Sequence, residues 1–399
     1  MRNPILPSVV LFTCLAAALF MVAASSGCKK NNPAAADETP KADPLKALST
    51  VSFAVNDFAV KIDSTGTLGR GYHGDIFTAG LWIAAVQDGE PRSTICWSGS
   101  LPSDNYTSMW GGRRFGVYHI TRNTIASAAE PWPVAQGFAL DAQGKPVLSG
   151  DEMCWVSLVP DTSLSSKPIF SHPLRNLRIS ATIYGYQRAD LRQVLFVRYD
   201  ITNVGESDIA DCYLGYYSDT DLEEGNGGSF SNSTAYDSAR GISYTYSQDS
   251  AVASKRVVGF AALETPKRNG LQIPPLSHRI MRKNDYINPE FGEKGFTSSQ
   301  QVLWALQGLD NFGNPMINPL TKAPTKFAFT GNPAAGSGWL DKSVDVRSMI
   351  SYGPFPLKAH ETQSLTIVWI GQNGSSIPLA IKSVYVTLDD VRAKPSLWQ

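Results

Sequence analysis

Residues 193–203 read QVLFVRYDITN, in which Leu195, Val197, Tyr199 and Ile201 alternate with Arg198, Asp200 and Thr202. Successive side chains of a strand point to opposite faces, so a period of two predicts a half-buried β-strand. NVGESD follows, with Asn203 and Gly205 suited to positive φ. IADCYLGYY then returns as a second strand, and the pair reads as an antiparallel hairpin. QSLTIVWIGQ is apolar on both faces, as expected of a central strand covered on both sides. FTAGLWIAAV and KFAFTG add further strands, and turn signals such as DAQGKP and DNFGNP separate the runs. One segment has a different period. SSIPLAIKSVYVTLDDVRA spaces Ile377, Ile381, Val384, Leu388 and Val391 by threes and fours, which predicts an amphipathic helix over 377–393. The expected fold is therefore all-β: an antiparallel β-sandwich assembly with a C-terminal helix, spanning residues 51–399.

The chain has 399 residues, 43% of them hydrophobic, which suffices for one large domain or two smaller ones. Lys plus Arg equals Asp plus Glu at 35 each, so there is no electrostatic reason to expect a nucleic-acid partner.

The N-terminus reads MRNPILPSVVLFTCLAAALFMVAASSGCKK. Arg2 precedes an uncharged apolar run over 9–24, then Ser25, Ser26 and Gly27 lead to Cys28. A transmembrane span needs about 20 apolar residues, and this run is short and ends in small ones. The pattern resembles a bacterial lipoprotein signal over residues 1–27, with Cys28 lipidated; ordinary secretion is the rival reading. Residues 28–50 are polar and rich in Pro and Ala, and read as a flexible tether reaching about 25 Å. The resemblance implies lipid anchoring in the bacterial cell envelope, at the outer membrane.

Cys96, Cys154 and Cys212 remain in the body, an odd number. They can form one disulfide and leave a thiol, or all three can be buried. Cys212 shares a strand face with Leu214 and Tyr216, which favours burial. No C-x-x-C occurs, so there is no zinc or redox motif.

The segments WPVAQGFALDAQGKPVLSGDEMCW, VLFVRYDITNVGESDIADCYLGYYSDTDL, GNPAAGSGWLD and SYGPFPLKAHETQSLTIVWIGQ occur in an informative order. In that order they resemble segments of large, mostly uncharacterised exported proteins of Gram-negative bacteria. Many of those proteins end in a type IX secretion sorting domain. The resemblance covers roughly residues 70–393. This chain differs in its lipoprotein-like start and in stopping after the helix, as a stand-alone lipid-anchored version would. The resemblance implies a β-rich fold and an envelope location, and carries no catalytic residue across.

GRGYHG (Gly69, Gly71, Gly74) matches G-x-G-x-x-G, but a strand follows it where a dinucleotide site needs a helix. His73, His119, His172, His278 and His360 are scattered, with no H-x-x-x-H spacing and no G-x-S-x-G elbow. Trp97, Tyr106, Trp110, Tyr118 and Trp132, with Arg113 and Arg114, read either as core packing or as a carbohydrate-stacking face.

The stretch YYSDTDLEEGNGGS crowds Asp219, Asp221, Glu223 and Glu224 into six positions with no Lys or Arg beside them. Three readings stay open. It is a solvated loop; or a calcium site in which Asp219, Asp221, Glu223 and Asp237 supply hard oxygens, without EF-hand spacing; or a source of catalytic acids, which need a second carboxyl about 5–10 Å away across a cleft. The reading adopted is a non-enzymatic, lipid-anchored envelope protein acting as a binding or structural module for a glycan or another surface protein. The alternative is a secreted carbohydrate-active enzyme using acids of the 219–224 loop.

Overall fold

The computed structural model describes residues 48, 50–53, 55–69, 74–96, 106–110, 113–114, 116–125, 132–161, 172–222, 232–248, 255–282, 296–341 and 345–399. The proposed signal, Cys28 and nearly all of the tether lie outside these residues. The principal strands are β1 (Thr78–Gln87), β2 (Glu90–Ile95), β3 (Glu152–Pro160), β4 (Leu177–Gly185), β5 (Val194–Asn203) and β6 (Ile209–Asp219). After them come β7 (Asn232–Asp237), β8 (Ile242–Ser247), β9 (Lys255–Glu264) and β10 (Pro275–Arg282). Helix α1 (Ser299–Leu306), β11 (Val346–Leu357), β12 (Thr362–Gly374) and helix α2 (Ile377–Arg392) complete the order.

Two large sheets form among the described residues, beside four two-stranded ones. The larger runs β7-β8-β9-β12-β5-β4-β3, and Tyr106–Thr107 and Tyr118–Thr121 both pair with β3. The smaller runs β10-β11-β6-β1-β2. All these pairings are antiparallel, so the all-β sandwich with a C-terminal helix is the observed fold.

The strand expected at 193–203 is β5, and its Leu195, Val197, Tyr199 and Ile201 face the core. The hairpin expected after it does not form. β5 pairs with β4 and β12, whereas β6 pairs with β1 and β11 in the other sheet. NVGESD thus carries the chain across the sandwich. Neither Asn203 nor Gly205 adopts positive φ there. Asn203 holds the crossing through its side chain instead, accepting from Gly205 N at 2.9 Å and donating to Ser207 O at 2.8 Å. Gly205 is required by close approach: a Cβ would come within 2.8 Å of the Asn176 Cβ.

Across the core, Trp369 of β12 donates from Nε1 to the Tyr216 hydroxyl of β6 at 2.7 Å. Tyr216 also meets Tyr199 and Phe260, with ring centroids 6.2 and 5.2 Å apart. Each fully buried aromatic of this kind contributes about 2–3 kcal/mol through lost water contact. Cys96, Cys154 and Cys212 are all buried and in no disulfide among the described residues, as the apolar face of Cys212 foretold for that residue.

Each sheet is also covered on its outer face. Helix α2 begins at Ser376, whose side chain accepts from Leu379 N, and it lays Ala380, Ile381, Val384, Leu388 and Val391 over Val368 and Ile370. Its bounds match the predicted 377–393 to within a residue. Helix α1, which no sequence period announced, covers the smaller sheet. Its Leu306 reaches Gly215 so closely that a Cβ there would collide with Leu306 and Met349. KFAFTG is not a strand. It contributes one parallel bridge, Phe327 to His278, with Ala328 N donating to His278 O at 2.9 Å.

His278 is fully buried where the sheets meet. It stacks on Tyr236 of β7 at 4.7 Å, and its Nδ1 lies 2.9 Å from Ala328 O. A carbonyl only accepts, so Nδ1 carries the proton and Nε2 accepts from Ser243 Oγ at 2.9 Å. Burial holds the ring's pKa down, from 6.5 to about 4. The unfolded chain therefore binds a proton that the native state refuses. This contribution to stability is complete above pH 6.5 and is lost as the pH falls toward 4. It amounts to about 3 kcal/mol. Denaturant midpoints between pH 7 and 5 should fall more steeply for the wild type than for His278→Gln. Parallel profiles would show that the ring titrates normally in the native state.

Candidate cation site and ligand groove

β6 ends at Asp219, which is 1% exposed and sits opposite Arg347 of β11 in the strand register. Arg347 Nε donates to Asp219 Oδ2 at 2.9 Å, and its NH1 group pairs with Asp345 Oδ1 at 2.8 Å. The same NH1 also donates to the Asp345 carbonyl at 2.9 Å. The carboxylates of Asp219, Asp221 and Asp345 offer oxygens within 4.8 Å of one another. Three carboxylates and one guanidinium sum to −2 (−3 + 1). Hard oxygens at this spacing can hold a metal ion.

This corrects the sequence reading in three ways. A compensating arginine is present, supplied by a strand 128 residues away. Asp345 joins Asp219 and Asp221, which local sequence could not reveal. Asp237 does not join them. It lies at the far end of β7 from Asn232, about 17 Å along the strand at 3.3–3.4 Å per residue. Asn232, in turn, contacts Leu222, next to Asp221. Glu223 and Glu224 fall outside the described residues. Asp219 itself is too enclosed to protonate a glycosidic oxygen.

Asp237 belongs to a second feature. A cavity of about 400 Å³ opens between the β7–β8 turn, residues 330–334 and the N-terminal half of α2. Its polar groups are fixed by the turn. Asp237 accepts from Ala239 N at 2.9 Å, Arg240 N at 3.2 Å and Arg240 NH1 at 3.2 Å. The Arg240 guanidinium lies 4.4 Å over the Tyr385 ring of α2, and Tyr385 donates its hydroxyl to Tyr244 Oη at 3.2 Å. Burial pushes the Tyr385 phenol up to about 12, so it stays a neutral donor at physiological pH. Sequence reasoning assigned nothing here beyond Asp237. The one local signal is the i,i+3 pair Asp237–Arg240 in DSAR; the other walls come from distant segments.

The remaining candidates are dispersed. His119 Nε2 lies 2.7 Å from Glu152 Oε1, and His360 Nε2 lies 3.1 Å from Glu206 on an exposed turn. His73 is outside the described residues. Of the crowded aromatics, Tyr106 and Tyr118 are buried, and Trp132 stacks on Phe138 at 5.0 Å. That favours packing for these three. Trp97 and the side chains of Trp110, Arg113 and Arg114 lie outside the described residues. Gly69 takes a φ of +77° and leads toward β1, a strand rather than a helix.

No family model matches the chain, and no curated protein matches it. Among solved structures it is similar to a polysaccharide lyase, BACCELL_00875, at 9% identity and a TM-score of 0.28, over 84% of this chain and 34% of that one. The chain therefore spans about a third of that lyase. It is also similar to the Slr1438 protein from Synechocystis sp. PCC 6803 at 9% identity and a TM-score of 0.26, over 84% of this chain and 99% of that one. Likenesses of this strength carry no reading of activity.

Proposed function

We propose that the chain is a lipid-anchored protein of the bacterial cell envelope, held at the outer membrane through Cys28, and that its sandwich acts as a non-enzymatic binding module. The observation that carries the binding role is the groove at Asp237 and Arg240. Its charged and aromatic side chains are locked in place before any ligand arrives, which lowers the ordering cost of binding. The apolar run ending in SSGC supports the anchor. Several acyl chains, each contributing about 0.8 kcal/mol per buried methylene, hold such a protein stably at a membrane. Calcium at Asp219, Asp221 and Asp345 serves as a structural ion at the end of β6, where three carboxylates bring oxygens within 4.8 Å of one another.

Two measurements test this reading. The wild type should carry acyl mass on Cys28 and enter the detergent phase, while Cys28→Ser should remain unacylated and aqueous. Wild type without acyl mass, partitioning as a soluble protein, would remove the anchor. For the module, intact protein in detergent is offered arrayed glycans and separated envelope proteins; retention by neither would remove the binding role.

A further inference from the structure

The charges around the groove cancel. Arg240 is shared by Asp237 at 3.2 Å and Asp389 at 3.6 Å, and exposed Lys382 on the rim adds a second cation. That makes two cations and two anions, so an anionic ligand gains no net attraction. A purely apolar ligand fares worse, because it would strip water from fixed charges without replacing their hydrogen bonds. One donor is already without a protein acceptor: Arg240 Nε is buried and unpaired. That atom is shielded from the groove, whereas the Arg240 side chain as a whole is 35% exposed and can donate into it. Ile381 and Pro378 give part of the wall an apolar character.

From these observations, and resting on the binding role proposed above, we infer that the groove takes the neutral, hydroxyl-rich end of a saccharide chain. Neighbouring sugar hydroxyls donate to the Asp237 carboxylate and accept from the Arg240 guanidinium. Both contacts are charge-assisted, the stronger kind of hydrogen bond. The C–H face of the sugar ring rests on the apolar wall beside Ile381. A volume of about 400 Å³ falls in the range of small-ligand sites and limits occupancy to a terminal unit or two.

The test uses the intact protein in detergent micelles on an array of neutral oligosaccharides, with uronate and sulfated counterparts alongside. Wild type should be retained on neutral chains. Arg240→Gln removes the charged donor, and Ser238→Trp fills the groove from an exposed turn position. Each should weaken retention about tenfold or more, equivalent to one charge-assisted bond. Ser238→Trp should do so with an unchanged melting temperature, which separates loss of the site from loss of the fold. Lys267→Ala, on a surface hairpin outside the groove, should bind as wild type. Retention on anionic glycans alone, or on an envelope protein alone, overturns the saccharide assignment and leaves the binding module standing. Neutral-glycan binding that survives both groove variants overturns the location. Retention by nothing overturns the inference and the binding role together.

Discussion

Ile381→Asp is expected to destabilise the protein by about 4–5 kcal/mol. Ile381 is 3% exposed, and it lies in the buried stripe of α2 over the larger sheet. Two costs add. Removing a buried Ile side chain forfeits its apolar burial and leaves a void, typically about 2–5 kcal/mol. The new carboxylate must also be largely desolvated, beside Ala380 and Val384 against the sheet. A helix of 16 residues is marginal on its own in water, so α2 is helical because it is docked. The groove shares this helix, through Tyr385 and Lys382, so the substitution should also weaken ligand retention. Val386→Asp is the control: Val386 is 51% exposed and should change stability by less than about 0.5 kcal/mol. Equal melting temperatures for Ile381→Asp and wild type would show that the stripe is not buried.

Period and burial made much of the fold readable in advance. The alternation at Leu195, Val197, Tyr199 and Ile201 identified a strand and its core face, and the spacing from Ile377 to Val391 identified α2. QSLTIVWIGQ announced a strand covered on both sides, and β12 lies between β9 and β5 with α2 above it. Pairing was not readable. A period of two says which face is buried but not which strand lies alongside, so β5 and β6, adjacent in sequence, read as one hairpin although they belong to opposite sheets. Helix α1 spans only eight residues, too few for a helical period to stand out from a buried strand. The sites were harder still. Asp219 and Asp221 are local to each other, but Asp345 and Arg347 arrive through the β6–β11 register. The groove is assembled from the 236–244, 330–334 and 378–385 segments, and chain order does not bring these together.

That register sets up the second large effect. Arg347 is 9% exposed and Asp219 is 1% exposed, so their ion pair lies almost entirely out of water. Removing one partner of such a pair typically costs about 3–5 kcal/mol, because the other charge is left buried without compensation. Arg347→Met, which keeps much of the side-chain volume, should therefore lower the melting temperature sharply in EDTA. The same variant tests the cation. Without the guanidinium the three carboxylates lose one compensating charge, so a divalent ion gains attraction and no longer competes with that donor. Calcium binding only to the folded state stabilises by about 2.7 kcal/mol at a hundredfold excess over Kd. Its effect should be larger in Arg347→Met than in wild type. Magnesium should do less in both, since it demands a near-octahedral shell and dehydrates reluctantly. Adding Asp219→Asn and Asp221→Asn should abolish the calcium response. If calcium moves neither wild type nor Arg347→Met, the carboxylates serve the arginine alone, and β6 ends in a structural ion pair rather than a metal site.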